Sequence, residues 1–144
     1  MPVTLTTEVP APRAEVWAAL TEPGRMREWY FANIPDFRPE VGFTTSFTMQ
    51  SEERTFTAHW EVTRVVPGEE ITYVWTYEEY PGAGPVTFRL ADADDGGTRV
   101  TVYNEGLETF PDDVPEFTEE SCRGGWEYFL QQRLPAYLAD STTH

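Results

Sequence analysis

From residue 42 to residue 106 the chain alternates apolar and polar side chains almost without a break. A period of two sustained that long restricts the segment to an antiparallel sheet with one dry and one wet face. "GFTTSFTMQ" sets Phe43, Thr45, Phe47 and Met49 on one face, and "TFTAHWEVTRV" sets Phe56, Ala58, Trp60 and Val62 against Thr57, His59 and Glu61. "ITYVWTY" gives Ile71, Tyr73, Trp75 and Tyr77; "VTFRL" gives Val86, Phe88 and Leu90; "RVTVYN" gives Val100, Val102 and Asn104. Between them "PGEE", "YPGAGP" and "DADDGG" are turn signals.

Such a sheet must bury its dry face against a second layer. The segment "GGWEYFLQQRLPAYL" (124–138) supplies one, because Trp126, Leu130, Leu134, Tyr137 and Leu138 recur at helical spacing. The acidic "PDDVPEFTEES" before it suits a helix entry. Pro135 removes one hydrogen bond and biases Leu134 away from helical geometry, so a kink is expected between Gln131 and Leu134. At the other end "VTLTTEV" (3–9) reads as a strand, "APRAEVWAAL" (11–20) as a helix and "RMREWYF" (25–31) as a second short helix. The class is α+β: about six antiparallel strands curved around a long C-terminal helix, with two short helices after the first strand.

A chain of 144 residues makes one domain, here 1–144. Its five Trp, seven Tyr and nine Phe can leave gaps that smaller side chains do not fill, so an internal cavity is a fair expectation. All ten basic residues are arginine and the formal net charge is −15, which opposes binding to nucleic acid or to anionic membranes. No apolar stretch is long enough for membrane insertion, and "MPVTLTTEVP" is not a signal peptide, so a cytoplasmic location is expected.

Little chemistry is on offer. His59 falls on the wet face by strand parity and His144 is the last residue, so neither readily activates a buried nucleophile. One cysteine, Cys122, and two separated histidines make no metal site, and no phosphate-binding glycine loop or dinucleotide fingerprint occurs; no cofactor is expected. Glu78, Glu79, Glu105 and Glu108 lie at strand ends or loops. A cyclase-like or hydrolase-like enzyme using one of them at a cavity rim is a third-ranked alternative.

Four stretches together resemble bacterial relatives of the activator of the heat-shock-protein-90 ATPase, within the START/Bet v 1-like (SRPBCC) superfamily. They are "VPAPRAEVWAALTEPGRMREWYF", "EVTRVVPGEEITYVWTY", "DDGGTRVTVYNEGL" and "GGWEYFLQQRLPAYL", in that order and spacing. Family helices often place a leucine seven residues after the tryptophan; here that position is Arg133 and the leucine is Leu134. The resemblance implies the helix-grip fold, in which sheet and closing helix enclose a cavity. It also implies an alternative role, as an interaction module regulating a chaperone ATPase of the heat-shock-protein-90 type.

The residues themselves favour a small hydrophobic or aromatic ligand, held by a carrier, sensor or stress-associated accessory protein. Its expected contacts are Phe47, Trp60, Tyr73, Trp75, Tyr77, Phe88 and Asn104 on the sheet and Trp126, Phe129 and Leu130 on the helix, with Trp29, Tyr30 and Phe31 at the open end. Tyr73, Tyr77 and Asn104 are the candidate polar anchors. A homodimer through the first hairpin or the acidic face is left open.

Overall fold

The computed structural model describes residues 3–51, 54–93, 96–111 and 113–141. Six strands form one antiparallel sheet: β1 (Val3–Val9), β2 (Thr44–Ser51), β3 (Arg54–Val66), β4 (Glu70–Tyr77), β5 (Gly84–Asp92) and β6 (Thr98–Asn104), in the order β1-β6-β5-β4-β3-β2. Helices α1 (Arg13–Thr21) and α2 (Pro23–Trp29) follow β1, and a long helical segment from Glu119 to Ser141 closes the chain. This is a helix-grip arrangement, and the C-terminal helix is the second layer that the dry face requires.

Parity decides the faces as the alternation implies. Ala58, Trp60, Val62, Ile71, Tyr73, Val86, Phe88, Val100 and Val102 are all at most 2% exposed. His59 and Glu61 point to the wet side, where threonine pairs such as Thr72 and Thr87 bridge strands, their hydroxyls 2.8 Å apart. A β-bulge between Val62 and Arg64 interrupts the β3–β4 register, and the parity of β3 flips there. That flip is why Val65, an odd-numbered residue, packs against the core alongside the even-numbered Val62.

The two short helices are separated by a single extended residue, Glu22, so α2 begins at Pro23, two residues earlier than "RMREWYF" suggests. Proline at a first helical position loses no hydrogen bond, which turns an apparent break into a start. The Trp29 indole donates to Ala19 O at 2.8 Å and ties α2 to α1.

The closing helix departs from expectation at Pro135. Leu134 keeps right-handed helical angles (φ −64°, ψ −48°), and the helix runs on through α4 (Leu134–Ser141). The adjustment lies upstream: α3 (Glu119–Trp126) passes into a π-helical segment, Glu127–Arg133, and the Leu134 N–H donates to Phe129 O, five residues back. Wider turns move the carbonyl of Gln131 away from the proline ring, which in a regular helix would clash with it. Trp126, Leu130, Leu134 and Leu138 stay on one buried line, at most 5% exposed. Thr118 caps α3, its hydroxyl accepting from Ser121 N at 3.2 Å, with Glu119 and Glu120 in the first turn.

Two short 3-10 turns, Leu107–Thr109 and Pro115–Phe117, interrupt the segment between β6 and α3. Gly106 makes the fold-back possible: its φ is +74°, and a Cβ there would meet Ala83 O at 2.2 Å. No helix among the described residues is long and apolar enough to cross a membrane.

Candidate ligand cavity

The sheet and closing helix part at one end and leave a cavity of about 470 Å³. Its floor is Trp75 and Tyr77 on β4, Gly84 on β5 and Asn104 on β6, with Met49, Gln50 and Phe56 from β2 and β3. Cys122, Gly125, Trp126 and Phe129 form the helical wall, and Tyr30 and Phe31 enter from the end of α2. Leu107, Phe110 and Phe117 close the far side.

Glycine at position 84 matters to this shape. The position faces the core, and a Cβ there would lie 3.1 Å from both the Phe110 ring and Glu105 O. Without it Phe110 folds close over the sheet's end and joins Phe117, Phe56 and Tyr77 in a second aromatic cluster, with Phe110–Phe117 centroids 5.1 Å apart.

Of the thirteen residues expected at the ligand site from the sequence, Tyr30, Phe31, Trp75, Tyr77, Asn104, Trp126 and Phe129 line this cavity. The others, Trp29, Phe47, Trp60, Tyr73, Phe88 and Leu130, do not; they are packed in the core beside it, none more than 6% exposed. Strand parity reports which face a side chain takes but not how far along the sheet the packing ends. Trp60 shows the difference: on β3, one strand in from the sheet's edge, it is enclosed by Tyr73 at 4.6 Å, Phe47 at 4.8 Å and Trp75 at 5.2 Å between centroids. Tyr73 has no free hydroxyl to offer a ligand either, since it pairs with Tyr30 at 2.8 Å.

Leu107, Phe110 and Phe117 were missed, because aromatic residues in a turn-rich stretch follow no period. Their signal was "NEGLETFPDDVPEF" itself, where large apolar side chains recur in a segment otherwise polar. The expected rim carboxylates also move: none of Glu78, Glu79, Glu105 and Glu108 lines the cavity. Glu79 is turned to the wet face, accepting from Thr57 N at 2.7 Å and from the Thr57 hydroxyl at 2.6 Å, and those bonds hold its carboxyl below the usual range. His59 lies on that face too, bonded to Ser46 and 3.9 Å from Glu78. His144 lies outside the described residues. No cluster of His, Cys, Asp or Glu of the kind that holds a metal occurs among the described residues.

The polar groups that do line the cavity are neutral. Burial pushes the Tyr77 hydroxyl well up, and the Cys122 thiol up to about 11, so both stay protonated at neutral pH. The Trp75 indole N–H interacts with the Tyr77 hydroxyl and opposes part of that effect, though too loosely for a hydrogen bond. Arg133, in the place of the expected leucine, reaches away from the cavity and donates to Glu28 O at 2.7 Å, closing the C-terminal end of α2.

The family model for "Activator of Hsp90 ATPase homolog 1-like protein" matches residues 10–139. The chain belongs to that family. This activator-homologue domain superimposes on a Chromobacterium violaceum protein with TM-score 0.78 at 23% identity, covering 95% of this chain and 96% of that one. A Rhizobium leguminosarum protein gives 0.79 at 20% identity, covering 97% and 95%. DynU16, from the dynemicin biosynthetic locus, gives 0.74 at 25% identity over 97% of this chain; the activator-homologue domain spans 48% of DynU16. No curated protein matches the domain in sequence.

Proposed function

We propose that this protein binds a small hydrophobic or aromatic molecule between its curved sheet and its closing helix, as a carrier, sensor or stress-associated accessory protein. One observation carries the reading: an aromatic-walled space of about 470 Å³ remains open in a domain whose core is otherwise closed by rings. That volume falls within the ~300–1,000 Å³ range of small-molecule sites. Burying ~300 Å² of apolar ligand would contribute roughly 7 kcal/mol. Association costs remove several kcal/mol, so about micromolar affinity is expected. The likeness to DynU16, from a biosynthetic locus, supports a small-molecule partner.

Native mass spectrometry of protein isolated gently from its own host, compared with the denatured mass, tests this. A discrete non-covalent adduct supports the reading and starts the ligand's identification. A clean apo mass, together with failure of any aromatic probe to bind, removes it.

The family description and the charge of −15 favour a second reading, regulation of a chaperone ATPase through an acidic outer surface. It requires that the protein raise the ATP turnover of a heat-shock-protein-90-type chaperone and that high salt abolish the effect.

A further inference from the structure

Strand β6 sends Thr98, Val100, Val102 and Asn104 into the interior. The last of these breaks the pattern with an amide where a β-branched apolar residue would pack. Asn104 is 8% exposed, and its cross-strand partners are Val3 on β1 and Val86 on β5, both fully buried and both apolar. Among the described residues its side-chain amide makes no hydrogen bond, yet neither amide atom is sealed from open space. An amide set in an apolar strand face with no protein partner calls for an explanation. The explanation is at hand in the cavity that Asn104 lines.

The surroundings narrow what could meet it. Among the described residues no Asp, Glu, Arg or His lines the cavity, so a charged ligand group would meet no counter-charge from them. An anion would also approach against a net charge of −15. Of the other polar groups the Tyr30 hydroxyl is paired with Tyr73, the Trp75 indole nitrogen is itself closed off and Gln50 is exposed. That leaves the Tyr77 hydroxyl and the Cys122 thiol, both held protonated, as the neutral groups that share the cavity with Asn104. Flat rings of Phe31, Trp75, Trp126 and Phe129 form part of the apolar wall.

We propose that Asn104 is the specificity-determining anchor for a neutral aromatic ligand carrying a carbonyl or hydroxyl group. That group meets the amide at the end of β6, and the ligand's rings lie against Trp75 and Trp126. The amide supplies both a donor and an acceptor, so either oxygen function satisfies it. This rests on the reading of the cavity as a ligand site.

Three compounds of one skeleton separate the two claims: fluorene, fluorenone and a fluorenone carboxylate, titrated against tryptophan fluorescence. The wild-type protein is expected to bind fluorenone about tenfold more tightly than fluorene, and the carboxylate more weakly than either. Asn104→Leu and Asn104→Ala should bind fluorenone and fluorene equally well. Because the readout is a ratio within one variant, a loss of folded protein does not imitate it. Equal binding of fluorene and fluorenone by the wild type, or a preference kept by both variants, overturns the role of Asn104 while leaving the cavity reading in place. If none of the three binds the wild type, the cavity reading fails and this inference with it.

Discussion

The Tyr30 hydroxyl lies 2.8 Å from the Tyr73 hydroxyl, inside the core and away from water. Tyr30 arrives from the end of α2 and Tyr73 from the middle of β4, so this bond fastens the short helices to the sheet. The Tyr30 ring stacks on Trp29 at 4.7 Å and meets Phe129 edge-on at 5.1 Å, so it also forms part of the cavity wall.

Removing one hydroxyl strands the other. Tyr73→Phe and Tyr30→Phe should each cost about 1–2 kcal/mol in denaturant unfolding, and the double variant less than their sum, because then neither oxygen is left unmet. Tyr73→Phe should leave aromatic-probe affinity unchanged, since Tyr73 does not line the cavity. A clear loss of affinity in that variant would place the ligand deeper than the cavity described.

Alkali should expose the same burial. Tyr30, Tyr73 and Tyr77 are pushed above the ordinary tyrosine range, in each case chiefly by burial. Below pH ~10 folded and unfolded chains both hold these protons, so they add no pH dependence. Above it the unfolded chain releases protons that the folded chain retains, and stability falls by about 1.4 kcal/mol per pH unit for each such group. Cys122 acts in the same direction, beginning nearer pH ~9. Phenolate absorbance should show these three tyrosines titrating only as the protein unfolds; smooth titration of all seven in the folded state would contradict it.

Gly106 is where the loop lining the far side of the cavity turns. Gly106→Ala would place a Cβ 2.2 Å from Ala83 O on a backbone with φ +74°. The Thr109 hydroxyl, which accepts from Ala83 N at 2.9 Å, would be drawn out of place with it. A loss above about 2 kcal/mol is expected by thermal unfolding, accompanied by weaker probe binding.

Gly125 offers the opposite case. It lines the cavity from α3, and a Cβ there would meet nothing within 4 Å. Gly125→Ala should therefore raise stability by up to about 1 kcal/mol. Gly125→Phe should keep the melting temperature but weaken binding of an aromatic probe, by placing a ring in the opening. Undiminished binding would show that ligands enter elsewhere.

Six strands, two short helices and a covering helix were legible because their periods are long and consistent. Asn104 was legible as well, standing where a valine belonged. Depth was not. Trp60, Tyr73 and Phe88 share a face with Trp75 and Asn104, and only three-dimensional packing shows that the first three are enclosed while the others meet empty space. Nor did any period mark Phe110 and Phe117, only large apolar residues recurring in a polar stretch, and the place of Phe110 depends on Gly82 and Gly84 letting two loops approach.

The π-helical turns before Pro135 also keep a record of chain length. Leu134 follows Trp126 by eight residues, which in a regular α-helix would carry it ~80° past two full turns and off the buried line. Seven residues, the spacing of the resembled helices, fall only ~20° short. The segment Glu127–Arg133 therefore houses one residue more than the wall requires, and its widened turns are what make a proline tolerable at position 135. The surplus residue and the proline depend on each other. Deleting the exposed Gln132 alone should return the helix to regular winding, with Pro135 now costing about 3 kcal/mol. Deleting it together with Pro135→Ala should give a shorter, ordinary helix whose leucines still face the sheet.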